Sequence, residues 1–174
     1  MATTFSRLKK LTEIANRQNQ WSSKFSLATT IQEEKTYEFK TSGTGNEAKD
    51  YMKADTLKRL TNLAIDLDLL EQDRISKEVH VSEMGKKAIL SNENYKQHIK
   101  MSVQNYLKTK KVPIDTILES AEKIKLPKLP DISTIHESLE NRNLISEKQL
   151  RTAMYLYALA DGIERKSKVI YVKK

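Results

Sequence analysis

Lys148, Arg151, Thr152 and Tyr155 recur at helical spacing, so a helix over residues 146–160 would carry them on one side. Their chemistry is that of recognition. Arg offers a planar fork of donors, Thr donates or accepts, Tyr adds a hydroxyl, and Lys adds a mobile point charge. Just beyond them, Arg165, Lys166 and Lys168 concentrate positive charge in a segment, residues 163–172, that reads as a two-stranded ribbon with a basic tip. A similar set, Lys49, Lys53, Thr56 and Arg59, lies opposite an apolar helical face in the first half of the chain. Such groups suit an anionic surface with hydrogen-bonding edges.

Residue types for bond-making chemistry are sparse. His80, His98 and His136 are isolated, and the chain has no Cys, which leaves out thiolate metal sites and disulfides. Asp66 and Asp68 sit at a predicted helix end without the Glu-x-Lys companion of a restriction-type nuclease core. The SGTGN segment, Ser42 to Asn46, lacks the longer glycine pattern and Lys-Ser/Thr pair of a phosphate loop. No nucleophile elbow or dinucleotide fingerprint is present. The expectation is no enzyme activity, no catalytic or metal-binding residues and no cofactor.

Charge is distributed unevenly. The 174 residues carry a net +8, yet residues 1–90 hold 15 Lys/Arg against 13 Asp/Glu and residues 91–174 hold 16 against 10. The basic excess therefore falls in the second half. Hydrophobic residues make up 38%, and 4 Gly and 3 Pro leave little to interrupt helices. No apolar run approaches membrane-spanning length, and the N-terminus lacks the apolar core of a signal peptide, although Arg7, Lys9 and Lys10 keep a transit peptide as an alternative. The expected location is intracellular, cytoplasmic or nucleoid-associated, with no membrane partner.

These side chains need elements to position them. Helical periodicity covers Thr4 to Gln18 and Ser22 to Glu34, with the single Trp21 between them as a packing anchor. Thr36 to Lys40 has strand character, and Glu47 to Asp66 reads as a strongly amphipathic helix. Leu69 and Leu70 lead through a polar turn, Glu71 to Lys77, to alternating Val79 and Val81, and Ser82 can cap a further helix with Glu83 at its positive end. That turn mixes Glu71, Asp73 and Glu78 with Arg74 and Lys77 and is nearly neutral. Asn92 to Lys108 reads as a bridging helix, Pro113 suits the first turn of another, and Leu126 to Pro130 stops it. After Asp131, a short helix holding Ile132, Ile135 and Leu139 runs to near Asn141, and Ser146 with Gln149 forms a capping box for the helix that ends at Asp161-Gly162.

The order helix, turn, capped helix and basic ribbon in Pro130–Lys174 resembles a winged helix. VHVSEMGKKAIL (residues 79–90) resembles one too, within roughly residues 45 to 92. The fold class expected is mainly α, with tandem winged-helix modules and short β-ribbons: a first module in 1–92, a bridging helix and linker in 93–111, and a second module in 112–174. The resemblance implies double-stranded DNA as partner, with helix 146–160 in the major groove and the ribbon on phosphates or in a narrow minor groove. The first module is either a weaker DNA contact or a packing and dimerisation surface. The chain would be a transcription regulator or the recognition region of a larger restriction-type nuclease. Winged helices also serve protein association, so a protein partner or homodimer is the alternative, and an RNA-binding helical module is a weaker third.

Overall fold

The computed structural model of the chain describes residues 3–41, 51–113, 132–140, 142–160, 165–166 and 169–170, the last two pairs by their backbone. The chain divides into two compact units, Met1–Tyr95 and Lys96–Lys174. It is mainly helical, and the described residues of each unit include an antiparallel two-stranded ribbon. No helix among the described residues is long and apolar enough to cross a membrane.

The first unit opens with α1 (Thr4–Ala15), started by Thr3, whose side chain accepts from the Ser6 amide while the Ser6 hydroxyl oxygen accepts from the Thr3 amide. Ser23 and Ser26 repeat the device at α2 (Lys24–Glu34). Leu8, Leu11 and Ile14 of α1 are fully buried, as are Leu27 and Ile31 of α2 and Leu57 and Ala64 of α3 (Ala54–Asp66). Both α1 and α2 contact α3. Burial of each large aliphatic side chain contributes about 2 kcal/mol to this core. Thr61 joins the buried face of α3, because its hydroxyl donates to the Leu57 carbonyl at 2.9 Å and needs no water.

Strands β1 (Leu70–Gln72) and β2 (Val79–Val81) pair in the register Leu70–Val81, Glu71–His80 and Gln72–Val79. Leu70, Val79 and Val81 point into the core, while Glu71 and His80 face outward and meet at 3.2 Å. Trp21 extends this ribbon by one residue. Its amide donates to the Val79 carbonyl at 2.7 Å, the Val79 amide donates back at 2.8 Å, and the buried indole donates to the Ala15 carbonyl. The ribbon runs into α4 (Glu83–Ala88), capped by Ser82, and then to α5 (Asn92–Thr109), in which the boundary between the units falls.

Two local expectations are corrected. Thr36 to Lys40 is not a strand: Tyr37–Phe39 form a 3-10 turn, Phe39 is buried, and Arg7 of α1 donates to the carbonyls of Glu38 and Lys40. A side chain has taken the acceptors that a neighbouring strand would use, and one isolated bridge, Lys40 to Tyr51, remains. The helix expected from Glu47 begins instead at Ala54. The Met52 amide donates to the Phe39 carbonyl at 2.8 Å, which holds Tyr51 and Met52 out of helical geometry.

In the second unit, α6 (Ile132–Ser138) ends three residues before the expected Asn141, and a 3-10 turn, Arg142–Leu144, connects it to α7 (Glu147–Ala160). Ile132, Ile135, Leu139, Ile145, Leu150, Met154, Leu156 and Tyr157 are buried, and α6 contacts α7. Strands β3 (Arg165–Lys166) and β4 (Val169–Ile170) pair antiparallel in the register Arg165–Ile170 and Lys166–Val169, and α7 contacts β4. The ribbon expected after the helix is therefore present.

Candidate nucleic-acid interface

Each unit presents a helix that runs into a ribbon: α3 into β1–β2, and α7 into β3–β4. On α3, burial of Leu57, Leu60, Thr61 and Ala64 turns Thr56 and Arg59 outward, with Lys53 exposed at the N-cap position. Arg59 has no ion-pair partner among the described residues. Its neighbours are tied down: Lys58 lies 3.6 Å from Asp55 and 5.1 Å from the centre of the Phe25 ring, and Asn62 accepts from Lys24 of α2 at 2.6 Å. Lys24 and the exposed Phe25 thus extend the α3 surface onto α2. Charge near an apolar helical residue was the only sequence signal for them, and their partners lie more than thirty residues away. Lys49 lies outside the described residues.

On α7, Lys148 and Arg151 are exposed and Thr152 and Tyr155 half-buried, on the side away from Leu150, Ala153 and Met154. Arg151 and Thr152 have local partners. Arg151 pairs with Glu147, and the Thr152 hydroxyl donates to the Lys148 carbonyl at 2.9 Å. An exposed i,i+4 pair of this kind is worth about 0.3–0.5 kcal/mol, little enough for a phosphate or guanine to displace Glu147. The start of α7 is fixed by its capping box: the Gln149 amide donates to Ser146 Oγ at 3.3 Å and the Ser146 amide to Gln149 Oε1 at 2.9 Å. The approach from α6 is fixed by Ser133, which donates to Glu147, and by His136, whose Nε2 lies 2.8 Å from the Ile145 carbonyl. A carbonyl only accepts, so Nε2 carries a proton. Arg165 and Lys166 occupy β3; Lys168 lies outside the described residues.

In the β1–β2 turn each carboxylate has a local hydrogen-bonding partner. Asp73 accepts from the amides of Ile75 and Ser76, both at 2.7 Å. Those amides, Ser76 first and Ile75 second, hold its carboxyl below the ordinary aspartate range. Glu78 accepts from Gln20 and Ser76, and Glu71 faces His80. Ile75 stands at the tip between Arg74 and Lys77, 93% exposed.

Among the described residues, no group of three or more His, Cys, Asp or Glu is placed to hold a metal ion. Comparison of the chain with protein-family models, with curated proteins and with solved structures returned no match.

Proposed function

We propose that the chain binds double-stranded DNA through two winged-helix modules, as a recognition protein or region with no catalytic step of its own. The observation that carries the reading is an outward Thr56–Arg59 face on a helix leading directly into a short ribbon, an order that α7 and β3–β4 repeat. In the first unit, the order of α1, the one-residue Trp21 strand, α2, α3 and the ribbon supports assigning α3 as the helix that enters the major groove. Arg59 and Arg151 then suit the N7 and O6 of guanine, Thr56, Thr152 and Tyr155 suit base edges or phosphate oxygens, and Lys53, Lys148, Arg165, Lys166 and Lys168 suit phosphates.

Titration of labelled duplex at a series of salt concentrations tests this. Affinity is expected to fall linearly on logarithmic axes, with a slope of about −0.9 per phosphate neutralised. Arg59→Ala and Arg151→Ala are expected to narrow the gap between preferred and random duplex, by about 1–3 kcal/mol for each lost bidentate contact. Equal weakening on every duplex would make these arginines phosphate contacts. No duplex binding at low salt would overturn the proposal in favour of protein association.

A further inference from the structure

Phe25, at the start of α2, is an apolar ring among polar and cationic side chains and is 57% exposed. Its position is held from two sides. The capping box of Ser23 and Ser26 fixes the first turn of α2, in which Phe25 is the second residue. Across the seam with α3, Lys24 donates to Asn62 at 2.6 Å, and the Lys58 ammonium lies 5.1 Å from the centre of the Phe25 ring. A cation within about 6 Å of a ring centre is attracted to the ring, and Lys58 is itself steadied by Asp55 at 3.6 Å. Asn62 stands three residues after Arg59 on α3, so the two share a face. Phe25 therefore borders the surface from which Arg59 projects. That neighbourhood holds Lys24, Lys53, Lys58 and Arg59 against Asp55 and Asp66. Glu33 and Glu34 lie more than two turns further along α2, and Glu34 is paired with Arg17.

We propose that Phe25 is a specificity-determining residue that packs against the 5-methyl group of a thymine in the major groove. The inference rests on the duplex-binding reading above, with α3 in that groove, and names a base for it. The chemistry of the groove selects the contact. Its base edges present hydrogen-bond donors and acceptors at every pair, and the thymine methyl is the apolar group among them. Against a phosphate or a polar base edge, the ring would strip water from groups to which it offers no hydrogen bond. Against the methyl, apolar surface is buried on both sides and no hydrogen bond is lost. Arg59 and Phe25 then read different chemistry from neighbouring points, one by donors and the other by shape and apolarity. Asn62 lies about 4.5 Å beyond Arg59 along α3, and the Lys24 side chain adds a similar reach. With base pairs stacked about 3.4 Å apart, the thymine falls within about four pairs of the guanine that Arg59 meets.

Exchange of thymine for uracil tests this, because uracil pairs identically and lacks only the methyl. Duplexes are selected from a random pool with the full wild-type chain, and each thymine of the selected site is exchanged singly. One exchange is expected to weaken wild-type binding about fourfold, the effect of returning one methyl group to water. Phe25→Ala is expected to bind the thymine and uracil duplexes equally, with the wild-type salt slope, because no charge has been removed. Phe25→Leu, which keeps an apolar side chain at this exposed position, is expected to retain part of the discrimination. Discrimination that persists in full in Phe25→Ala overturns the assignment, as does a wild-type chain indifferent to every exchange; both leave the duplex-binding reading standing. Failure of the wild-type chain to bind duplex at low salt removes the assignment together with the reading it rests on.

Discussion

Gly85 illustrates how one residue constrains the junction between ribbon and helix. A Cβ added there would lie 2.1 Å from the Leu69 carbonyl oxygen and 3.0 Å from a Val81 methyl. The carbonyl is not free to retreat, since it accepts from the Ser82 amide at 3.2 Å while the Leu69 amide donates to Ala64 at 2.9 Å. Gly to Ala inside a helix ordinarily stabilises by about 1 kcal/mol. Here the overlap with backbone outweighs that gain, and Gly85→Ala is expected to destabilise the first unit by about 3 kcal/mol. Trp21, buried in the same unit, supplies the readout: its fluorescence transition in urea should move to lower denaturant, and an unmoved midpoint would refute the expectation. The sequence marked Ser82 and Glu83 as a helix start, and both take those places. It did not mark Gly85 as a contact, because the atom that excludes a side chain there belongs to Leu69 across the ribbon.

At the scale of elements, helices with strong caps or periodicity and the two ribbons were legible, and the segment Thr36 to Lys40 and the start of α3 were not. The Ser146–Gln149 box lies where its residues predict, since both halves are local hydrogen bonds that need no distant partner. Ser146→Ala is expected to cost about 1 kcal/mol, which corresponds to roughly fivefold faster hydrogen exchange at the Gln149 amide if the first turn opens locally. Unchanged exchange would mean that Ser133 and Glu147 hold the turn without the cap. Thr36 to Lys40 was misread for the opposite reason. Its composition favours a strand, but strand propensity measures fit to neighbours, and the neighbour supplied is the Arg7 guanidinium. The start of α3 was placed early because the Tyr51 spacing continues the helical pattern, whereas Met52 is committed to Phe39.

For the whole molecule, the functional proposal divides labour between two units, each offering a helix face and a ribbon. If both engage one duplex, substitutions in the two units should act on different observables. Replacing Arg165, Lys166 and Lys168 together by Ala is expected to weaken binding to every duplex and to reduce the salt slope by about two to three units. Arg59→Ala should change mainly discrimination between duplexes, and the two sets should combine additively, as separate sites do. An unchanged slope in the triple variant would remove the second ribbon from the interface.

The sequence by itself determined the predominance of helix, the apolar faces of α1, α3 and α7, the capped starts of α4 and α7, and the existence of a ribbon in each half. These depend on spacing and on bonds between residues three or four positions apart. Tertiary structure alone decided that Trp21 completes the first ribbon, that Lys24 and Phe25 share the α3 surface, and that the carboxylates around Ile75 are locally engaged while the isoleucine projects. Those outcomes turn on partners far away in the chain, such as Val79 for Trp21 and Asn62 for Lys24, or on which side of a turn a side chain takes. Periodicity carries information on neither.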